Sequence, residues 1–345
     1  MAERGPGLLA RLEQGPVICA EGYLFELERR GYLQAGAFVP EVVLEHPEKV
    51  AELHRELVHA GSDVVEAFTY YAHREKLRII GREEALEQIN RQALGIAREV
   101  AGESGALLAG NVCNTNVYTG EESVPAVRAM FDEQIAWAVD AGADFIIGET
   151  FSWLGEALAA TAAIRETGLP AVVTLAAHRR PETREGLSLA DACRALEDAG
   201  AAVVGLNCSR GPDTMLPLLG PIRAAVSVHV AALPVPYRTH PGEPSFQSLR
   251  DPLADGAHDR AFPTALDPFT CNRHEIARFA ADALALGVRY LGVCCGAAPH
   301  HVRAMAEAVG RTPAASRYSA DMSKHAYFGT DARLRAEYQH YAADL

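Results

Sequence analysis

With 345 residues, of which 49% are hydrophobic, the chain can bury a large core, either as two ordinary domains or as one α/β barrel of about 250 residues or more. A formal net charge of −13 without any Lys/Arg-rich run argues against a nucleic-acid partner. No apolar run reaches the roughly 18 residues of a membrane span, and residues 1–5 lack a signal-peptide core. Seven cysteines, an odd number, fit a reducing compartment. We therefore expect a cytoplasmic globular protein without nucleic-acid or membrane partners.

A glycine that stops a helix, followed by a β-branched or apolar strand, recurs four times along the chain. The four copies begin at Ala60, Ala141, Ala199 and Leu286. Further strands are predicted at 16–19, 106–112, 171–177 and 227–233, with helices near 40–59, 83–100, 124–139, 154–165, 188–197, 214–225, 272–284 and 299–308. Eight strands alternate with helices, and no Gly-x-Gly-x-x-Gly turn follows the first strand. The pattern predicts an α/β fold, a (β/α)₈ TIM barrel over residues 1–310.

Two segments depart from this alternation. Residues 233–270 are irregular, contain seven prolines and follow the seventh strand, which predicts a lid or a pocket wall. Residues 311–345 form a short C-terminal extension with one possible last helix at 331–344. Because this extension has too little apolar surface to fold alone, we expect it to pack on the barrel or on a second subunit.

Three cysteines follow predicted strands. Cys208 ends the sixth strand, and the adjacent Cys294 and Cys295 end the eighth. Neighbouring cysteines would close a strained ring, so this pair predicts metal or redox chemistry rather than a structural disulfide. Three thiolates with a fourth position open are typical of catalytic zinc; the alternative is three buried free cysteines in the core. An open zinc site holds an incoming thiol as a thiolate, which predicts S-alkylation.

The segments 205–208 (Gly-Leu-Asn-Cys) and 292–296 (Gly-Val-Cys-Cys-Gly) also carry a resemblance. In this order and at this separation they resemble the zinc motifs of the homocysteine S-methyltransferase family, a set of zinc-dependent (β/α)₈ barrels. Closer similarity is to the betaine-dependent branch of the family, the betaine-homocysteine S-methyltransferases, and covers nearly the whole chain. Segments that carry it are 27–32, 45–48, 53–56, 68–72, 262–263 and 287–292.

The resemblance implies roles for particular residues. Cys208, Cys294 and Cys295 would bind Zn²⁺, and Glu149, at the end of the fourth strand, would hold the amino group of homocysteine. The substrate-binding residues implied for the two pockets are Glu149, Glu21, Gly22, Phe38, Phe68 and Tyr71. Phe38 and Tyr71 match aromatic positions of the donor pocket, where a trimethylammonium group lies against ring faces. Phe38 stands where the betaine-dependent branch has a tryptophan.

Two positions depart from the family pattern. The family has an Asp-Gly pair after the first strand, where this chain reads Ala20-Glu21-Gly22. Either Glu21 supplies the carboxylate from one place later, or the amino-acid end of the acceptor is recognised differently. Thr150 replaces a tyrosine of the betaine-dependent branch, which would alter the donor or the fourth zinc ligand at rest.

The function predicted is zinc-dependent transfer of a methyl group from glycine betaine to homocysteine, giving methionine. Other donors (S-methylmethionine, dimethylsulfoniopropionate, proline betaine) or another thiol remain open, as does a non-catalytic zinc barrel that binds a small ligand. Transfer from an onium donor releases a neutral group and needs no general acid, so no catalytic histidine is assigned. We expect His300 and His301 to cap a helix or lie at the surface. The other histidines considered are His178 and His240. The C-terminal extension resembles the start of a dimerisation arm, which predicts a homodimer.

Overall fold

A computed structural model of the chain describes residues 5–251, 253 and 259–345. Residues 1–4 of the segment considered for a signal peptide, and Pro252 of the proline-rich segment, lie outside the described residues. Eight parallel strands follow one another around a closed barrel, and pairing of the first with the last closes it. The strands are β1 (Val17–Ala20), β2 (Val64–Glu66), β3 (Leu107–Cys113), β4 (Phe145–Phe151), β5 (Ala171–Leu175), β6 (Val203–Asn207), β7 (His229–Leu233) and β8 (Tyr290–Val293). The predicted (β/α)₈ fold is confirmed.

Helices cover the outside of the barrel and also lie at its two ends. They are α1 (Leu8–Gln14), α2 (Tyr23–Arg29), α3 (Val42–Glu45), α4 (Pro47–Ala60), α5 (Arg74–Ile79), α6 (Leu86–Ser104), α7 (Val124–Asp140), α8 (Leu154–Glu166), α9 (Leu189–Asp198), α10 (Pro212–Ala225), α11 (Arg273–Ala285), α12 (Pro299–Ala308) and α13 (Ala336–Ala342). The helix predicted at 40–59 is divided in two, because proline disfavours helical backbone in the preceding residue, and His46 adopts φ −140° and ψ 57°. The short helices α1, α2 and α5 were not predicted. None of the described helices combines the length and apolarity that a bilayer crossing needs.

The interior of the barrel is apolar at its amino end and polar at its carboxyl end. Side chains alternate along each strand, so Val64 and Glu66 of β2 share the inner face, as do Ile147 and Glu149 of β4. The apolar interior includes Val17, Cys19, Val64, Leu107, Ala109, Phe145, Ile147, Val172, Val203, Leu233 and Tyr290, and α1 contributes Leu8 and Leu12 to the same cluster. The polar layer therefore lies where the strands end, above a packed core.

The proline-rich segment packs on the carboxyl end of the barrel. Phe246 lies 5.9 Å from Phe25 of α2 and 5.0 Å from Phe262, measured between ring centroids. The backbone N–H of Phe246 donates to the Ser209 carbonyl oxygen at 2.8 Å, and Ser209 Oγ lies 3.2 Å from Gln247 Oε1. The segment thus supports the loop that carries Cys208.

The C-terminal extension is attached at its start and exposed beyond it. The Arg311 guanidinium forms a bidentate pair with Asp63, which also accepts a hydrogen bond from the Ile18 backbone N–H at 2.8 Å. Ala315 is buried, whereas large side chains farther along, Tyr318, Met322, Phe328, Tyr338, Tyr341 and Leu345, are exposed. These six residues are called the arm surface below.

Candidate metal and substrate site

Three cysteine sulfurs meet at the carboxyl end of the barrel. Cys208 Sγ lies 3.7 Å from Cys295 Sγ, which lies 3.8 Å from Cys294 Sγ, and all three atoms are within 4.8 Å of one another. The convergence follows from strand order, because β6 and β8 are the two neighbours of β7. Cys208 N–H donates to the Leu233 carbonyl oxygen and Cys294 N–H donates to that of Pro234, each at 2.9 Å. The two cysteine loops are therefore fixed to opposite sides of the same chain segment.

The loop after β6 is held in an unusual backbone conformation. Cys208 has φ 56° and Ser209 has φ 58°, both in the left-handed region that residues with a Cβ rarely adopt. Such strain is of the order of 1–3 kcal/mol per residue and is found preferentially at functional sites. Here it turns the chain so that the thiol of Cys208 points toward the β8 loop.

The spacing of the three sulfurs fits a tetrahedral zinc ion. With Zn–S bonds of about 2.3 Å, two sulfurs on a tetrahedron lie about 3.8 Å apart. The two measured Sγ–Sγ contacts of 3.7 and 3.8 Å match that edge. Potential ligand atoms of Cys19, Glu21 and Glu66, and separately of Glu21, Glu149 and Cys294, also lie within 4.8 Å of one another. Among these groups of described residues, the three cysteines alone offer soft sulfur at every position. The residues present fit zinc.

The electrostatics of the cluster show why it would hold a cation. Hydrogen bonds with the thiols of Cys294 and Cys295 hold the pKa of Cys208 well below its usual range. Their hydrogen bonds with Cys208 raise the pKa of Cys294 and of Cys295 well above the usual value of a cysteine thiol. These directions favour a thiolate at Cys208, and a cation bound among the three sulfurs would also stabilise the thiolates of Cys294 and Cys295.

Three buried glutamates adjoin the sulfurs. Glu149 comes from β4, Glu66 from the end of β2, and Glu21 directly follows β1. A carboxylate oxygen of Glu21 lies within 4.8 Å of one from Glu149, of one from Glu66, and of Cys294 Sγ. Burial raises the pKa of Glu149 to about 7, and burial followed by the charge of Glu149 raises those of Glu21 and Glu66 well above the usual value.

Two asparagine amides tie these carboxylates together. Asn111 Nδ2 donates to Glu66 Oε1 at 2.5 Å and to Glu149 Oε1 at 2.7 Å. Asn207 Nδ2 donates to Glu149 Oε2 at 2.6 Å and to Glu21 Oε2 at 3.3 Å. Each amide therefore bridges two carboxylates, which fixes their positions and offsets part of their mutual repulsion.

The three glutamates line one cavity together with Cys294 and Cys295, and its volume is about 320 Å³, counting the part open to solvent. Its lining residues are Glu21, Tyr23, Leu24, Glu66, Ala67, Phe68, Tyr70, Asn111, Glu149, Cys294 and Cys295. No basic side chain is present among these described residues. The cavity thus combines sulfur ligands, negative charge and aromatic rings, which suits a thiol and a cationic group.

The structure brings together most of the residues implied by the resemblance. Glu149, Glu21 and Phe68 line the cavity with Cys294 and Cys295. Gly22 lies against the Cys294–Ala297 turn, since a Cβ at Gly22 would come within 2.8 Å of the Ala297 carbonyl oxygen. Sequence reasoning did not identify Glu66, Asn111, Asn207, Tyr23 or Tyr70. A polar residue at an inward position of a buried strand is the signal that could have revealed the first three.

The two aromatic residues predicted for the donor pocket are not among the described residues that line the cavity. Phe38 stacks on Phe25 with ring centroids 5.4 Å apart. Tyr71 packs against Tyr70 at 4.2 Å, and Lys76 Nζ lies 4.0 Å from the centroid of the Tyr71 ring. Both residues have positive φ, 55° for Phe38 and 61° for Tyr71. One face of Tyr71 therefore already holds an ammonium group.

The histidines have structural partners. His301 is buried, its Nδ1 accepts from the Ala298 N–H at 3.2 Å, and its Nε2 lies 2.9 Å from the Cys271 carbonyl oxygen. His178 links Ser152 Oγ, at 2.8 Å from Nε2, to Ser209 Oγ, at 3.3 Å from Nδ1. His300 is exposed at the same helix start. These contacts agree with the expectation that the pair at 300–301 caps a helix or lies at the surface.

The fold and the site define the class: a (β/α)₈ barrel with three convergent cysteines and a carboxylate-lined pocket at the carboxyl ends of its strands. The family model for homocysteine S-methyltransferase matches residues 18–309. The chain is 37% identical over 312 residues to betaine–homocysteine S-methyltransferase 1 of Xenopus tropicalis, covering 87% of this chain and 75% of that protein. It is 33% identical over 347 residues to S-methylmethionine–homocysteine S-methyltransferase of Pongo abelii, covering 96% and 91%.

The chain belongs to the homocysteine S-methyltransferase family and is a methyltransferase. Among solved structures, the metallated form of the homocysteine methyltransferase MmuM from Escherichia coli superposes with a TM-score of 0.67 at 19% identity, covering 86% of this chain and 97% of that one. At that identity the superposition confirms the fold alone.

Proposed function

We propose that the protein is a zinc-dependent S-methyltransferase that transfers a methyl group from glycine betaine to homocysteine, giving methionine. The observation that carries this proposal is the convergence of three cysteine sulfurs, two of which line a cavity that also holds three carboxylates and several aromatic rings. The relatives are named for betaine or S-methylmethionine as donor and for homocysteine as acceptor. S-methylmethionine, dimethylsulfoniopropionate, proline betaine and other thiols are the competing substrates.

Cys208, Cys294 and Cys295 would hold the zinc ion. When bound, zinc would stabilise the thiol of the acceptor as its thiolate at neutral pH. Because the protein supplies three ligands, one coordination position would remain for that sulfur. Glu149 and Glu21 would lie beside the amino group of that acceptor, because both carboxylates line the cavity next to Cys294. The acceptor is then anchored at both ends, which orients its sulfur.

The chemical step combines two opposite charges. The acceptor thiolate attacks the methyl carbon, the S–C bond forms, the C–N bond of the onium breaks, and its electron pair leaves with the nitrogen as a neutral amine. Since charge disappears in the transition state, a cavity that excludes water favours the reaction. The product amine needs no proton to leave, which fits a cavity whose described lining contains no histidine.

Aromatic rings would form the wall that receives the donor. Phe68, Tyr70 and Tyr23 line the cavity, and Tyr71 packs against Tyr70. Phe38 stacks on Phe25. Ring faces attract a quaternary ammonium group by about 0.5–2 kcal/mol each without offering it a hydrogen bond.

We also propose that the chain forms a homodimer through its C-terminal arm and acts in the cytoplasm. The arm surface supports the first proposal, since it exposes five large aromatic or apolar side chains in addition to Met322. Seven free cysteines, as found in the structure, support the second.

The test is methionine formation by the zinc-loaded protein, measured with homocysteine and each candidate donor in turn. Glycine betaine should give the highest kcat/KM. Zinc-loaded protein that is inert with every donor would contradict the proposal.

A further inference from the structure

Three hydrogen-bond acceptors in the cavity have no partner among the residues that the structure describes. They are Glu21 Oε1, Glu66 Oε2 and Asn111 Oδ1, each on a residue that is more than nine-tenths buried and lines the cavity. The orientation of the Asn111 amide is set by its Nδ2, which donates to an oxygen of Glu66 and to an oxygen of Glu149. Leaving such acceptors without a donor is costly in a buried site.

In the third carboxylate, that of Glu149, both oxygens already accept hydrogen bonds. Glu149 Oε1 accepts from Asn111, and Glu149 Oε2 accepts from Asn207 and from Thr150 Oγ1 at 3.1 Å. Glu149 therefore supplies charge to the cavity while its oxygens are already bonded. The free acceptors belong to its neighbours.

The number and chemistry of the free acceptors match a primary ammonium group. Such a group has three N–H donors and one positive charge, whereas a quaternary ammonium has no N–H at all. A carboxylate oxygen of Glu21 lies within 4.8 Å of one from Glu66, close enough for one nitrogen to contact both at ordinary hydrogen-bond lengths. The pocket thus fits the ammonium group of the acceptor and not a quaternary ammonium such as that of glycine betaine.

We propose that Glu66, with Glu21 and Asn111, binds the ammonium group of the acceptor, and that Glu66 determines the preference for aminothiols over thiols without an amine. This inference rests on the proposed function and assigns a role to Glu66, which the resemblance leaves without one. A Glu21 oxygen lies within 4.8 Å of Cys294 Sγ, so the amine and the sulfur of the acceptor must be separated by only a few bonds.

The experiment compares homocysteine with 4-mercaptobutanoate, which lacks only the amine. Glu66→Gln keeps the oxygen that accepts from Asn111 and replaces the free oxygen with an N–H₂ donor, which repels an ammonium. We expect the variant to raise KM for homocysteine about 10- to 100-fold, the effect of losing one charged hydrogen bond, with little change for 4-mercaptobutanoate. Glu66→Asp, which keeps the charge, should recover part of the loss.

A matched control and a second readout keep the test independent of turnover. Glu156→Gln alters another buried glutamate, one that accepts from Thr115 outside the cavity lining, and should leave the ratio of kcat/KM for the two thiols unchanged. Calorimetry on zinc-loaded protein without donor should show the same selectivity in Kd.

The outcomes separate the two proposals. Equal losses for both thiols in Glu66→Gln, or no preference for homocysteine in the unaltered protein, would overturn the role of Glu66. Selective binding of homocysteine without methyl transfer from any donor would support the pocket and contradict the proposed function.

Discussion

The Sγ atoms of Cys208 and Cys295 lie 3.7 Å apart, although 87 positions separate the two residues in the sequence. The barrel produces this contact because both residues follow strands that flank β7. The distance is that of two ligands on one tetrahedral ion, and the left-handed backbone at Cys208 maintains it.

Removal of one of these sulfurs should abolish metal binding while the barrel stays folded. We expect Cys208→Ala to reduce zinc from one ion per chain to near zero and to eliminate methyl transfer, because two thiolates hold zinc poorly. Elemental analysis and thermal melting measure the two effects. Cys193→Ala, at a buried cysteine of α9 outside the cluster, should retain zinc and activity. A large fall in Tm for Cys208→Ala alone would indicate a structural zinc site instead.

Acid should destabilise the protein through histidines that are buried in the neutral form. Burial lowers the pKa of His54 from 6.5 to about 3, and those of His73 and His301 to about 4. Below about pH 6.5 the unfolded chain binds protons that the folded chain does not bind, so the free energy of unfolding falls as the pH falls toward the folded pKa values.

His54 offers the sharpest test of this pH dependence. Its two ring nitrogens have no hydrogen-bond partner within the described part of the chain, and its ring packs edge-on against Tyr23, with the ring centroids 4.7 Å apart. At about pH 5 its neutral burial costs about 2 kcal/mol, so His54→Leu should gain about that much relative to the unaltered protein between about pH 7 and pH 5. The pKa of Glu149 is raised to about 7, so this group changes the free energy of unfolding with pH in the opposite direction. Its effect is the same in both proteins and cancels when they are compared at each pH. Parallel stability curves would contradict the prediction.

The sequence predicted the architecture more completely than the site. Gly-stopped helices and apolar strands are local signals, and all eight strands they indicated are present. Cys208, Cys294 and Cys295 were predicted as one cluster because strand order alone places them together. The carboxylate network was not, since the link from Asn111 to Glu66 depends on side-chain positions within the barrel that no local pattern encodes. The proline-rich segment was expected as a lid or pocket wall, but none of its described residues lines the cavity, and it supports the Cys208 loop instead.

Lys76 should influence which donors bind. Its Nζ lies 4.0 Å from the Tyr71 ring centroid, so a second cation placed there is repelled unless it carries an anionic group that pairs with the lysine. Glycine betaine has such a carboxylate. We therefore expect Lys76→Met to raise KM for glycine betaine about 10-fold and to strengthen inhibition by choline, a cation without a carboxylate.

The control for Lys76 is a second lysine in the same kind of contact. Lys49 Nζ lies 5.7 Å from the centroid of Tyr32, and neither residue lines the cavity. Lys49→Met should therefore change neither the KM for glycine betaine nor the inhibition by choline. If Lys76→Met weakens the binding of glycine betaine and of choline equally, the role of Lys76 is only to order α5.

The arm surface should be covered by a second copy of the chain. Tyr318 is 70% exposed and Phe328 is 60% exposed, a degree of exposure that large aromatic side chains rarely keep in an isolated protein. Deletion of residues 319–345 leaves the Arg311–Asp63 pair and buried Ala315 in place, so the barrel should stay folded. We expect light scattering to give twice the chain mass for the intact protein and one chain mass after the deletion.

A point variant separates lost contacts from lost length. Phe328→Asp places a charge in the proposed interface and should shift the protein toward monomer, because a buried unpaired carboxylate is strongly unfavourable. Ile79→Asp, at a position of α5 that is 58% exposed, adds the same charge elsewhere and should leave the mass unchanged. An intact protein that stays monomeric at every concentration, or a dimer that survives the deletion, would contradict the role of the arm.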